Sequence, residues 1–313
     1  MQRNNFKNKR ILITGISGFV GKALEKHLKS QGAEVFGISR SISTDKNILN
    51  SDILDYEPIN KFVKDLKIQI CFHLASDALV EKGQVWPYET FRVNTEGTLN
   101  ILEIARVNKL EKVIIASTSH VYGKNKVPYF ETYMPRPTRP YETSKACADL
   151  MAQSYAESLN LPVLIPRFVN IYGPGDMNFQ RLIPKTIKSV LENLEPEMWG
   201  GRAVRDYLYI DDAIEAYLSL AQIDINKVGK SRVFNIGSNN MISVEDLIKK
   251  IIKIAGKNLG IKKIPVEREG EIDSQYVSFS KATKLLGWKP KTNLNEGLKI
   301  TVDWYSRYNS NEK

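Results

Sequence analysis

The chain holds little of what metal centres and disulfide frameworks are built from. Among 313 residues there are two cysteines, Cys71 and Cys147, and three histidines, His27, His73 and His120. Both cysteines sit in segments that read as buried strand or helix. No C-x-x-C spacing joins them, which argues against disulfides and zinc alike. The histidines are scattered, so no metal site is expected. No apolar run approaches the roughly 18 residues that cross a bilayer, and the basic opening, residues 1–10, lacks the apolar stretch of a secretory leader. A cytoplasmic protein with no membrane partner is the expectation. Internal repeats and low-complexity linkers are missing too. Acidic residues are outnumbered, 35 Asp and Glu against 45 Lys and Arg, for a net charge of +10. The basic residues are interleaved with acids rather than gathered on one tail, which speaks against nucleic acid as a partner. A modest positive field suits a dianionic nucleotide instead.

What is present is ordinary in amount and ordered in pattern. Hydrophobic content of 42% and charged content of 26% are those of a globular protein with one large or two modest domains. Short β-rich runs at 10–14, 34–38, 68–74, 112–116 and 161–165 alternate with helical periodicity at 18–31, 93–108 and 141–159. That alternation predicts an α/β fold, a doubly wound parallel sheet. After about residue 166 the rhythm changes: a loop-rich stretch, a helix from Asp211, a strand at 233–236, a capping box at Ser243-Val244-Glu245-Asp246 and a closing helix at 294–305.

Between the first strand and the first helix lies Thr14-Gly15-Ile16-Ser17-Gly18-Phe19-Val20-Gly21. Glycines there let the backbone turn sharply and approach a pyrophosphate, whose charge the helix N-terminus meets. Gly15, Ser17, Gly18, Phe19 and Val20 are therefore candidate contacts to a dinucleotide; a plain structural turn is the alternative. An acid at the end of the second strand would bind the ribose of NAD, whereas Arg would suit the 2′-phosphate of NADP. The chain has Ser39-Arg40 there, which leans towards NADP and leaves NAD open. Asp52, with Ile53 beside it, is placed to hold the adenine amine; a solvated loop acid is the alternative.

Tyr141-Glu142-Thr143-Ser144-Lys145 puts a phenol and an ammonium on one helix face. A free phenol titrates near 10, so acting as a base at pH 7 takes roughly 4 kcal/mol of help; a nearby ammonium and a cationic nicotinamide are expected to supply it.

At this point the residues resemble a family, the extended short-chain dehydrogenase/reductases of the NAD-dependent epimerase/dehydratase group that act on nucleotide sugars. Beside the two motifs stand Phe72-His73-Leu74-Ala75, Asn94 in Val-Asn-Thr-Glu-Gly-Thr, Ser117-Thr118-Ser119-His120-Val121-Tyr122-Gly123, Arg167-Phe168-Val169-Asn170-Ile171-Tyr172-Gly173-Pro174, Arg205-Asp206-Tyr207 and Leu286-Gly287-Trp288. The resemblance runs over nearly the whole chain. It implies a Rossmann-type sheet with a smaller C-terminal α/β substrate-binding region: 1–168 with about 206–236 for the dinucleotide, about 169–205 and 237–313 for the nucleotide sugar. It also implies a homodimer joined through a four-helix bundle of the helices at 93–108 and 141–159.

By the same resemblance Tyr141 is the base, Lys145 its partner and a ribose contact, and Thr118 the hydroxyl that orients the substrate. Leu74, Ala75, Ser76, Asn94 and Phe168 fall on the cofactor side. Asn170, Arg181, Leu182, Arg205 and Arg268 fall where relatives grip the sugar nucleotide, with Ser119 and His120 near the sugar. The 4,6-dehydratases carry an acidic pair directly after the threonine; this chain has Ser119-His120. The reading put first is thus a nucleotide-sugar 4-epimerase. A 4-dehydrogenase or ketosugar reductase stays open, as does a 4,6-dehydratase working through Ser119 and His120. A catalytically silent binding protein of the same fold is the reading from another class.

Overall fold

The computed structural model describes residues 6–265 and 272–311. Its main sheet has eight strands: β1 (Arg10–Thr14), β2 (Glu34–Ser39), β3 (Ile48–Asn50), β4 (Ile70–His73), β5 (Lys112–Ile115), β6 (Ser117–Thr118), β7 (Val163–Phe168) and β11 (Val233–Ile236). The order is β11-β7-β5-β4-β1-β2-β3, with β6 beside β7, and every pairing is parallel. A sheet of this kind has helices over both faces, and its residues alternate between two cores. Ile11, Ile13, Phe72, Ile114 and Leu164 belong to one core, whereas Leu12, Cys71, Val113, Ile115, Val163 and Ile165 belong to the other. The strand order reverses between β1 and β4, and a crevice opens there beyond the carboxyl ends of the strands.

The helices are α1 (Phe19–Ser30), α2 (Tyr56–Asp65), α3 (Val80–Val85), α4 (Pro87–Phe91), α5 (Gly97–Val107), α6 (Pro140–Ser158), α7 (Leu182–Leu191), α8 (Ile210–Gln222), α9 (Val244–Ile254), α10 (Ser280–Leu286) and α11 (Leu294–Asn311). The remaining strands build smaller sheets. In one, β10 (Val204–Tyr209) is flanked by β12 (Met241–Ser243), β14 (Ser274–Gln275) and β8 (Asn170–Tyr172); in the other, β9 (Glu197–Trp199) pairs with β13 (Lys262–Ile264). The Ser243 cap is as the sequence predicts, its hydroxyl accepting from the Asp246 amide. Among the described residues no helix is long and apolar enough to cross a membrane.

Two local expectations are corrected. Residues 41–51, where no strand is expected, contain the edge strand β3; three residues among polar neighbours are too few to show an alternation. The helix expected at 93–108 opens instead with a π-helical turn, Arg92–Glu96, before α5. Such wide turns recur beside functional sites, and this one carries Asn94.

Candidate active site

The crevice is a cleft of about 690 Å³, in the range of small-molecule sites. Its floor is the turn from β1 into α1. Gly15 has a φ of +69°, and a Cβ there would lie 2.9 Å from the amide nitrogen of Ala75. At Gly21 a Cβ would come within 2.3 Å of the Gly15 carbonyl. These glycines let the loop close against β4 and α1. Gly18 caps α1 without any side-chain hydrogen bond, so the first amides of the helix face the cleft with no built-in acceptor. That is a cradle fit for a pyrophosphate. From behind, Thr14 Oγ1 accepts from the amides of Leu74 and Ala75 and meets His73 Nδ1 at 2.8 Å. His73 Nε2 lies 3.1 Å from Thr98 Oγ1. Burial holds this imidazole neutral, its pKa lowered to about 3.

The other wall comes from β6, α6 and β7. The β6–β7 register sets Ser117 against Arg167 and Thr118 against Phe168. Pro140 starts α6, as proline at a first helical position should, and carries Tyr141 and Lys145 into the cleft one turn apart. Tyr141 hydrogen-bonds Thr118; burial pushes its phenol up to about 12, against the pull of the Arg181 charge and of the Thr118 bond. The sequence expectation that Lys145 would lower this phenol is corrected. Lys145 Nζ donates instead to the Ala116 carbonyl at 2.6 Å, and the side-chain cation that reaches Tyr141 is Arg181. Burial brings Lys145 down to about 8, opposed by Asp149, so it is an ammonium at neutral pH.

Gly15, Ser17, Gly18, Phe19, Val20, Ser39, Arg40, Asp52, Ile53, Leu74, Ala75, Ser76 and Phe168 all line this cleft, and so do Thr118, His120, Tyr141, Lys145, Asn170, Arg181, Leu182 and Arg205. Two expected residues do not. Asn94 is buried with its amide committed to Asp77 and Ser144, so it braces the start of α6. Ser119 is 3% exposed, at the start of a short 3₁₀ turn whose next residue, His120, does line the cleft. Arg268 lies outside the described residues.

Several partners were not anticipated. Arg181 pairs with Asp176 at 3.0 Å. His120 Nδ1 lies 3.4 Å from the carboxylate of Glu142, which is 2% exposed. Beneath Lys145, Asp149 takes a bidentate pair from Arg167 (2.9 and 2.7 Å) and a hydrogen bond from Ser117 at 2.6 Å. Asp149 follows Lys145 by four residues on the same helix face, and that spacing was the available signal.

The family model of the NAD dependent epimerase/dehydratase family matches residues 11–237. The chain belongs to this family. It is therefore an enzyme of the epimerase/dehydratase type, with the Rossmann-type sheet of its relatives. Human dTDP-D-glucose 4,6-dehydratase is 31% identical over 95% of this chain and 90% of its own length. Among solved structures, UDP-glucose 4-epimerase of Thermotoga maritima with UDP-glucose has a TM-score of 0.88 and 29% identity, over 96% of this chain and 99% of that one. The UDP-glucose 4-epimerase of Thermus thermophilus, a complex with NAD, has a TM-score of 0.84 and 28% identity, over 95% of this chain and 98% of that one. Epimerases and dehydratases of this family thus both align over nearly the whole extent of the chain.

Proposed function

We propose that the protein is a nucleotide-sugar C4 oxidoreductase, and specifically a 4-epimerase. The observation that carries this reading is the meeting, in one cleft, of a glycine cradle with the hydrogen-bonded pair Tyr141 and Thr118. Tyr141 takes the proton of the sugar C4 hydroxyl, and Thr118 holds that oxygen in line. Arg181 brings positive charge to the side where the phenol becomes anionic. A nicotinamide coenzyme, its pyrophosphate held by the glycine cradle, would supply the hydride acceptor. Ser119 is buried and is not part of the cleft lining, and the acidic pair that the 4,6-dehydratases carry after the threonine is replaced here by Ser119-His120, which supports the epimerase over the dehydratase. Incubation with UDP-, dTDP-, GDP- and CDP-sugars, with and without added coenzyme, is expected to show by proton NMR a changed H4 coupling and no net coenzyme turnover. A new C6 methyl signal, or a stoichiometrically reduced coenzyme, would replace the epimerase with a dehydratase or a dehydrogenase.

For the coenzyme, Ser39 and Arg40 at the end of β2 support NADP. Ser39 Oγ is spent on Ser17 Oγ at 2.9 Å and on the Ser41 amide, which leaves Arg40 to meet a 2′-phosphate. Titration is expected to give tighter binding of NADP than of NAD, and Arg40→Ala should remove the difference. A tighter NAD would reverse the assignment.

We also propose a homodimer. Leu99 and Val107 on α5, Leu150 on α6 and Leu159 at its end are 41%, 44%, 49% and 51% exposed, on helices that pack against each other. Leu150→Glu should turn a dimer into a monomer in analytical ultracentrifugation. A wild-type monomer at micromolar concentration would sink the proposal.

A further inference from the structure

Beyond the glycine cradle and the Tyr141–Thr118 pair the cleft has a third stretch. Its wall is built by the first turn of α7, by β9 and by β10, through Lys185, Glu197, Trp199 and Arg205. With a coenzyme's pyrophosphate on the cradle and a sugar at Tyr141, this end is left for the nucleotide of the substrate. Side chains alternate along a strand. Met198, in the middle of β9, is buried in the core, so Glu197 and Trp199 share the opposite face, which is the cleft face. Two residues of strand separate them by about 6.6 Å, so a base laid against the indole turns an edge to the carboxylate. Lys185 Nζ donates to Glu197 Oε2 at 2.9 Å, and Lys262 Nζ to Oε1 at 3.4 Å. These bonds hold the carboxyl below the usual carboxylate range, so it is an anion at neutral pH. A carboxylate offers about four acceptor positions, and the two lysines leave room for a donor from a ligand. The side chain is 34% exposed, open to the cleft. The other acid on this wall, Asp176, is already taken by Arg181.

We infer that Glu197 reads the base, and that the substrate is a sugar joined to a nucleoside diphosphate whose base carries an exocyclic amino group, guanine or cytosine. The inference rests on the nucleotide-sugar reading above and narrows it. A carboxylate opposes the charge of a diphosphate, so an acid on this wall is useful only where the ligand brings a donor to it. The amino group of guanine or cytosine is such a donor. Guanine adds its ring N–H, which makes the contact bidentate. The Lys185 ammonium, held beside the carboxylate, donates to the acceptor on the same edge, O6 of guanine or N3 of cytosine. Uracil and thymine carry a carbonyl oxygen on each side of their ring N–H. Whichever way such a base lies, one of those oxygens faces the carboxylate, and the repulsion adds to the missing bond.

The experiment is calorimetric titration of the full-length protein with GDP, CDP, UDP and dTDP, with NAD and NADP present in excess so that the cradle is filled. The tighter of GDP and CDP is expected to bind at least about tenfold more tightly than UDP and dTDP, the discrimination of one good polar pair to a base edge. Glu197→Gln puts a donor where one acceptor stood. It should weaken the amino-bearing nucleotide, strengthen UDP, and bring the two within about threefold. If GDP is the tighter ligand, inosine diphosphate, which lacks only the amino group, should bind the wild type about tenfold less tightly; if CDP is, UDP already makes that comparison. UDP or dTDP binding as tightly as both GDP and CDP, or a preference unchanged in Glu197→Gln, would overturn the base assignment and leave the C4 reading standing. Binding of none of the four would overturn the nucleotide-sugar reading together with it. An amino-base preference that Glu197→Gln abolishes, with no change at H4 in any sugar joined to that base, would strike the C4 reading alone.

Discussion

Tyr141→Phe is expected to lower kcat by about 10²–10⁴-fold, the usual contribution of a positioned acid/base group. The variant keeps the ring, which is 8% exposed, and loses only the hydroxyl and its bond to Thr118, so stability should fall by no more than about 1 kcal/mol. The pH dependence gives a sharper test. With the phenol pushed up to about 12 in the free protein, Tyr141 is protonated at neutral pH, and its anionic fraction grows as pH rises. Since kcat/KM reports the groups of the free enzyme, it should climb between about pH 6 and 8 in the wild type, and the slope should vanish in the Phe variant. Retention of a third of wild-type activity would remove Tyr141 from the chemistry.

Asp149→Asn should destabilise the fold by about 3–5 kcal/mol, because it leaves a buried guanidinium without its counter-charge. Asp149 and Arg167 are 0% and 2% exposed. Two of the guanidinium nitrogens depend on this carboxylate, and the third, Nη1, has no hydrogen-bond partner at all. The Arg167 plane rests on the Tyr122 ring at 4.7 Å, which is no substitute for an anion. Urea unfolding of the single variant checks the size of the effect. The double variant Asp149→Leu with Arg167→Met should recover much of it, since an apolar pair of similar bulk often replaces a buried ion pair at little cost. A loss below about 1 kcal/mol in the single variant would show that water or a backbone shift relieves the arginine.

The fold was legible where the chain is strongly periodic. The strands at 10–14 and 233–236 and the helix after Pro140 show in sequence because buried parallel strands read as short apolar runs and helices as 3.6-residue stripes. The partners of β10 in its small sheet were not legible, since strands of two or three residues carry no pattern of their own and exist through pairing with a distant segment. In the site the same contrast holds. The glycine loop and the Tyr–Lys pair are local patterns, visible without a fold. By contrast, Arg181 near Tyr141, Glu142 behind His120 and the Asp149–Arg167 pair arise only when α6, β7 and the loop before α7 come together. Asn94 misled for a related reason: a polar residue in a conspicuous motif suggests a ligand, but its amide is used up in holding Asp77 and Ser144.

The chain of hydrogen bonds from Thr14 through His73 to Thr98 has a consequence for timing. It ties the ends of β1 and β4 together beneath the glycine turn before any coenzyme arrives. The turn therefore has little freedom left to lose, and less of the gross binding energy goes into ordering it. A cradle already in shape favours slow release. An enzyme that returns the hydride it has taken gains from that, because a coenzyme kept for many cycles never has to be regenerated in solution.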